Sequence, residues 1–219
     1  MCFNASVSFT AGAVIGAVGL LTLKKSKGAS QTLFASIPFI FAVQQITEGF
    51  LWLVLKHQEY LQWQQMLTVI FIVFAQIVWP FWVPLSIMLM EKNKKRKTIL
   101  KILFFIGLGS SLFGAYRLLF HPVTAIIEEH HIKYVFNFSG MILSFTPLLY
   151  ILPTIISLFI SSVKKMLLLG ILILISVVAT EYFFHAYLLS VWCCFAAVIS
   201  GVIFWIIKSS DVNLKTDQS

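Results

Sequence analysis

Charged residues are scarce in this chain: 11% of its 219 residues are Asp, Glu, Lys or Arg, and only eight of them are acidic. A soluble globular domain carries about 25% charged residues, so this composition excludes an ordinary soluble protein. The chain is 59% hydrophobic, with a mean hydropathy of +0.94. Lipid offers no hydrogen-bond partner to a free backbone, so long apolar stretches are predicted to cross a membrane as α-helices.

Several sequence signals are missing, and each absence argues against a class of protein. No basic segment precedes the first apolar stretch, which favours a signal anchor over a cleavable signal peptide. No lipobox or prenylation motif is present, and no repeat of about 20–50 residues is found. The adjacent Cys193 and Cys194 lack the spacing of a redox Cys-x-x-Cys pair and are interpreted as packing residues. No lysine lies in the middle of the last apolar stretch, which argues against a retinal protein.

Seven apolar stretches are long enough to predict an all-α, polytopic membrane protein. We expect one transmembrane domain over residues 1–208 and a short polar tail over residues 209–219. The predicted spans are Ser6–Leu23, Thr32–Leu55, Gln64–Met90, Thr98–Phe120, Val135–Ser161, Met166–Tyr182 and Ala186–Ile207.

The charges alternate between the two sides of this arrangement. One side holds 13 of the 16 Lys and Arg residues and a net charge of +10, whereas the other side carries −2. The positive-inside rule puts the lysine-rich side in the cytoplasm, which places the N-terminus outside and the C-terminus inside. The basic pI of about 9.5 therefore indicates topology and anionic-lipid contact rather than nucleic-acid binding.

Small residues and prolines predict how the helices pack. Span one is expected to pack within the molecule through Gly12, Gly16 and Gly19. Span four is expected to pack tightly through its own glycines, which are Gly107, Gly109 and Gly114. Proline within a helix predicts a kink or bend, and spans three and five contain such residues at Pro80, Pro84, Pro147 and Pro153.

The strongest single candidate for a functional residue is Glu48, an acidic residue inside an otherwise apolar span. An ionisable side chain within a membrane is costly and is a functional candidate by default. Gln44 lies four residues earlier and is expected to share its face of the helix. The alternative is a protonated Glu48 that hydrogen-bonds a neighbouring helix.

All five histidines lie on the lysine-poor side, together with most of the acidic residues. The connection before span five contains Glu128, Glu129, His130 and His131, which are side-chain types that bind zinc or iron. A solvated loop is the alternative interpretation of this connection.

Two further candidates lie near the same side. Glu181 and His185 are four residues apart, so they can share a bound ion or form an ion pair. Cys2 can bind a metal with its thiol and a free amine if Met1 is removed, or it can be a buried structural cysteine.

Together these residues predict a divalent-metal site, with zinc favoured over iron. The predicted ligands are Glu48, His130 or His131, His185 and Cys2, and a metal-bound water would be the nucleophile. The predicted catalytic groups are Glu48, Glu181 and Glu128.

The leading hypothesis is a membrane hydrolase that acts on a lipid or an amphipathic small molecule. A proton-coupled carrier that uses Glu48 and the histidines, a haem or quinone protein and a non-catalytic scaffold are the alternatives.

Several motifs resemble an uncharacterised family of bacterial membrane proteins. They are Met1–Phe9, Gln44-Gln45-x-x-Glu48-Gly49, Trp79-Pro80-x-x-Val83-Pro84, His130-His131-Ile132-x-Tyr134 and Ser190-Val191-Trp192-Cys193. The family opening has Ser where this chain has Asn4. The resemblance implies a bacterial inner-membrane protein with its polar residues on the periplasmic side, but it implies no activity.

The seven-span architecture is also similar to the alkaline ceramidase and adiponectin-receptor superfamily. That resemblance implies a zinc-dependent amide hydrolase acting on lipids. The chain departs from the superfamily because Glu181-x-x-x-His185 stands in place of His-x-x-x-His, and no Ser lies near Gln44 or Glu48.

Overall fold

The computed structural model describes residues 4–128, 130–137, 146–184 and 195–216, most of which are helical. The helices are α1 (Ala5–Lys25), α2 (Ala29–Ala35), α3 (Ile37–Val54), α4 (Leu61–Ile72), α5 (Trp79–Met90), α6 (Lys94–Phe120), α7 (Thr146–Ile151), α8 (Ser157–Ile160), α9 (Lys164–Phe184) and α10 (Ala196–Thr216). A 3₁₀ turn covers Gln58–Tyr60. A first π turn (Val73–Val78) joins α4 to α5, and a second π turn (Leu152–Ile156) joins α7 to α8.

The helical membrane class is confirmed. Five helical stretches of the described chain are long and apolar enough to cross a membrane: Ala5–Lys25, Ala29–Val54, Gln58–Met90, Lys94–Phe120 and Lys164–Phe183. Two shorter apolar helices cover Leu148–Ile160 and Ala196–Ser209. Each predicted span therefore contains helix.

An antiparallel β-hairpin departs from the all-α prediction. Its strands are β1 (Val123–Glu128) and β2 (His131–Phe136), with Val123 opposite Phe136 and Glu128 opposite His131. The prediction that span five begins at Val135 is wrong, because Val135 lies within β2 and the described helix begins at Thr146.

The hairpin forms because its side chains alternate between two environments. Ile132, Tyr134 and Phe136 point to one face and pack with α3 and α4, and the ring of Tyr134 stacks on Phe71 at 4.7 Å. Lys133 points to the other face, where its ammonium group lies 2.9 Å from the carboxylate of Glu128. A period of two residues is typical of a strand with one buried face. The hairpin marks one end of the fold, which we call the hairpin end.

The glycine face of α1 packs against α3, as predicted. A Cβ atom at Gly12 would lie 2.7 Å from a side-chain carbon of Ile46, and one at Gly19 would lie 2.7 Å from the backbone nitrogen of Phe39. These contacts leave no space for a side chain, so the two helices are in close contact over several turns.

The proline-containing helices pack on α6 through a second set of small residues. Pro80 has no N–H to donate to the carbonyl of Gln76, and the first π turn lies directly before it. The hydroxyl of Ser111 donates a 2.6 Å hydrogen bond to the carbonyl of Ile77. A Cβ at Gly107 would collide with the carbonyl oxygen of Pro80 and lie 3.1 Å from a carbon of Pro153, so α6 is closest to both π-turned helices at this residue.

The opposite end of the fold is held together by Glu91, which is 3% exposed. Its carboxylate accepts hydrogen bonds from the backbone N–H and the hydroxyl of Ser162, at 2.6 and 2.7 Å, and from the N–H of Asn93 at 2.8 Å. Arg96 donates to the carbonyl of Ser161 at 2.8 Å. We call these contacts the Glu91 clasp. It joins the α5–α6 connection to the α8–α9 connection.

Gly107→Ala is expected to destabilise the protein by about 1–3 kcal/mol, because the added methyl group overlaps the backbone of α5. Gly109→Ala is the matched control two residues away in the same helix, where an added Cβ meets no described atom within 4 Å. Since Ala favours helix over Gly, Gly109→Ala is expected to leave the unfolding temperature in detergent unchanged or higher. Equal effects of the two substitutions would contradict the packing of α6 described above.

Glu91 makes stability depend on pH. Burial raises the pKa of Glu91, but hydrogen bonds from Asn93 and Ser162, assisted by Arg96, outweigh burial and hold the pKa below its ordinary value of 4.5. A lowered folded-state pKa adds stability that is complete above the unfolded-state value and is lost as the pH falls through the folded-state value. The free energy of unfolding lost in Glu91→Gln is therefore expected to be largest near neutral pH and to shrink below pH 4.5. Glu59→Gln, at an exposed carboxylate, is the control. A pH-independent effect of Glu91→Gln would count against the clasp.

Candidate functional site

Glu48 is completely buried on α3, roughly 9 Å along the helix axis from its C-terminal end. The side chain of Gln45 donates a hydrogen bond from Nε2 to Oε2 of Glu48 at 3.1 Å. Phe41, Gln44, Gln45 and Glu48 recur at helical spacing, so the inner face of α3 changes from apolar to polar toward the hairpin end. A carboxyl group is thus held within the bundle by an amide of its own helix.

Trp79 connects this polar face to the interrupted helix. Its indole Nε1 donates to Oε1 of Gln44 at 3.0 Å, and its ring stacks on Phe41 with centroids 4.2 Å apart. We call Gln44, Gln45, Glu48 and Trp79 the Glu48 cluster. Gln44 and Glu48 were expected to act in one pocket. The structure keeps both in the cluster, with Gln44 bonded to Trp79 and Gln45 bonded to Glu48.

An apolar cavity of about 40 Å³ lies beside the Glu48 cluster. Phe41 and Trp79 line it together with Leu158 and Ile203, and the rest of its lining comes from α2, α9 and the second π turn as well as from further residues of α3, α5 and α10. Trp79 therefore contacts a polar group through its nitrogen and an apolar space through its ring.

The predicted ligands of the hairpin lie in different environments. His131 is 7% exposed, while His130 lies exposed at the turn between the strands. Glu128 shares its face with His131, which is its cross-strand partner, and forms the ion pair with Lys133. The hairpin shares one hydrophobic cluster with Leu51 and Trp52, which lie just beyond Glu48 on α3. His131 is thus at the same end of the fold as the Glu48 end of α3.

The other predicted site residues are not assembled with these within the described chain. Glu181 lies on an exposed surface of α9. Cys2, Glu129 and His185 lie outside the described residues. Across residues 4–128, 130–137, 146–184 and 195–216, no group of three or more His, Cys, Asp or Glu side chains could hold a metal ion.

Arg117 is one of the three basic residues on the lysine-poor side, and it occupies a specific place in the structure. Arg117 is 7% exposed on the last turn of α6, and its guanidinium carbon lies 5.2 Å from the ring centroid of Phe136 and 6.0 Å from that of Phe113. It lines a small cavity at the hairpin end. The available signal was an ionisable residue inside a predicted membrane span, the same signal that identified Glu48.

The fold and this distribution of polar groups define a helical membrane protein with buried ionisable side chains in its bundle. The chain belongs to a family described as "Family of unknown function (DUF6629)", which matches residues 1–218. The prediction of an uncharacterised family is therefore confirmed. No curated protein and no solved structure matches the chain, and no finding links it to the alkaline ceramidase and adiponectin-receptor superfamily.

Proposed function

We propose that this protein is a proton-exchanging carrier of an amphipathic organic cation, with Glu48 as the group that exchanges the proton. The observation that carries the proposal is the complete burial of Glu48 in a membrane-spanning helix. A buried carboxylate is costly unless it is paired, so a proton and a cation compete to neutralise it. This competition couples the movement of the cation to the movement of the proton.

The two π turns supply the change in helix geometry that a carrier requires. Transporter sites are commonly built where membrane helices are interrupted, and π turns inside helices are frequent at functional sites. The first π turn directly precedes Trp79 of the Glu48 cluster, and the second contains Pro153. Pro80, two residues after the first π turn, and Pro153, within the second, both lie against Gly107 of α6, so a shift of α6 would act on both segments.

The apolar cavity indicates the kind of solute. The stacked rings of Phe41 and Trp79 border a mainly apolar space of about 40 Å³, which has room for a small apolar group of an organic cation but not for the whole solute. Aromatic rings also attract cations through their π faces. When the solute enters, the proton of Glu48 leaves to water and the cation takes its place; when the solute leaves, a proton returns.

The proposal includes a seven-span topology with the hairpin end on the periplasmic side of a bacterial inner membrane. Lys24, Lys25 and the run Lys94–Lys97 lie at the opposite end of α1 and α6 from the hairpin. This asymmetry supports a cytoplasmic location for the lysine-rich end.

Glu48→Gln is expected to abolish proton exchange while the protein remains folded, because Gln preserves the size and hydrogen bonding of Glu but cannot bind or release the proton. In proteoliposomes, pH-difference infrared spectra of the wild type are expected to show the carbonyl stretch of a protonated carboxyl group that is missing in Glu48→Gln. Wild-type proteoliposomes loaded with a pH-sensitive dye are expected to become alkaline inside when benzyltrimethylammonium is added outside, because each cation that enters is exchanged for a proton that leaves. Proteoliposomes with Glu48→Gln are expected to show no such change.

Glu59→Gln is the matched control, because Glu59 is an exposed carboxylate in the Gln58–Tyr60 turn. It is expected to behave as the wild type in both measurements. An identical infrared band in Glu48→Gln would remove Glu48 as the exchanging group. A Glu48-dependent band without cation-driven alkalinisation would overturn the carrier while leaving the buried proton site.

A metal-dependent hydrolase acting on a lipid or amphipathic substrate is the second candidate. It is favoured by the hydrophobic cluster that the hairpin shares with Leu51 and Trp52, since this cluster puts His131 at the end of the fold where α3 carries Glu48. The proposed zinc ligands remain Glu48, His130 or His131, His185 and Cys2. In this proposal the catalytic carboxyl groups are those of Glu48, Glu181 and Glu128, and either Glu181 or Glu128 acts as the base.

Elemental analysis of untagged, detergent-purified protein tests this second candidate. Near-stoichiometric zinc that is lost in His131→Ala and retained in His57→Ala is the expected result, because His131 is buried at the hairpin while His57 is exposed. Protein purified without chelators that contains no metal, or retention of zinc in His131→Ala, would contradict the proposed ligand set.

A further inference from the structure

The hairpin end contains a second cavity, separate from the Glu48 cluster. It lies between the first π turn, the last turns of α6 and the hairpin, and its polar lining is Gln76, Arg117, His121 and Asn137. Its enclosed part, about 10 Å³, has room for roughly one water-sized atom. Arg117 is buried, His121 is half-buried and Asn137 is exposed, so the polar lining extends from the interior to the surface.

The lining has the chemistry of an anion site. Arg117 brings a permanent positive charge, Gln76 and Asn137 bring amide donors, and the described lining includes no acidic side chain. The ring of Phe136 faces the guanidinium at 5.2 Å and restricts its position. A guanidinium is planar, and the geometry of its N–H groups matches that of the oxygens of a phosphate group.

The surface beside the cavity indicates the source of the anion. Tyr116, Leu119 and Phe120 lie on the same last turns of α6 and are largely exposed, with Leu119 at 79%. Exposed apolar side chains at the end of a membrane-spanning helix lie against lipid. The mouth of the cavity is therefore at the level where phospholipid headgroups carry their phosphates.

We propose that this cavity binds the phosphate group of a membrane phospholipid at the hairpin end, with Arg117 as its principal ligand. One phosphate oxygen enters the enclosed space beside Arg117, and the remaining oxygens stay at the mouth near His121 and Asn137. The proposal does not depend on proton exchange at Glu48, so either can fail alone.

The test uses the full-length protein in nanodiscs made of phosphatidylglycerol, released into mild detergent for native mass spectrometry. The wild type is expected to keep one bound phospholipid. Occupancy is expected to fall by about tenfold or more in Arg117→Gln and by less in Arg117→Lys, because Lys keeps the charge but loses the two-pronged hydrogen bonding. Lys56→Gln removes an exposed cation near the end of α3 and is the control that should keep the lipid.

Inorganic phosphate distinguishes a lipid headgroup from a free ion. One outcome is that phosphate stabilises the wild type but not Arg117→Gln while the wild type retains no lipid. That result would assign the site to free phosphate rather than to lipid. Equal lipid occupancy and equal phosphate response in the wild type and Arg117→Gln would overturn the site. Arg117 would then be a charge that only offsets the backbone carbonyl groups at the C-terminal end of α6.

If Arg117→Gln does not fold, His121→Gln is the second variant, because it alters the mouth of the cavity and keeps the guanidinium group. It is expected to weaken lipid retention. An unchanged occupancy in that variant would also overturn the site.

Discussion

A proline inside a membrane helix leaves a backbone carbonyl without its usual donor, and Pro80 does this to the carbonyl of Gln76. Lipid cannot supply a hydrogen bond there, so the local structure is set by the protein. Gln76 lies within the first π turn, where the hydrogen-bond pattern changes, and at the next residue the hydroxyl of Ser111 donates to the carbonyl of Ile77. Gly107 permits the close approach that this bond requires. Because α6 is fixed against α5 in this way, Trp79 is held at Gln44 and Arg117 is held at the hairpin.

The first π turn also connects the two polar regions of the molecule. Trp79 follows it and belongs to the Glu48 cluster, whereas Gln76 lies within it and lines the cavity of Arg117. A helix that was regular between these residues would rotate one of them away from its present neighbours, since a π turn adds a residue to the usual repeat. The positions of Gln76 at the Arg117 cavity and of Trp79 at the Glu48 cluster therefore depend on one short segment.

Much of the helical fold could be predicted from the sequence, because membrane spans depend on local composition. The glycine face of α1 and the proline interruptions could also be predicted, since the spacing of small residues and the position of a proline can be seen within a single helix's own sequence. The hairpin was missed because β2 ends in a run of apolar residues that continues toward the next helix, which hid its two-residue alternation. Glu91 was missed because its partner Ser162 is distant in sequence. The hydrogen bond between Trp79 and Gln44 could not be predicted for the same reason, because it joins residues 35 positions apart.

The Glu91 clasp also has a place in the order of assembly. Glu91 and Ser162 are separated by 71 positions, so the clasp cannot close until α6, the hairpin and α8 have all left the ribosome. Until then the carboxylate of Glu91 lacks the N–H and the hydroxyl of Ser162. The clasp therefore forms late in synthesis, on a chain in which the second proline-interrupted segment has already returned to the lysine-rich end.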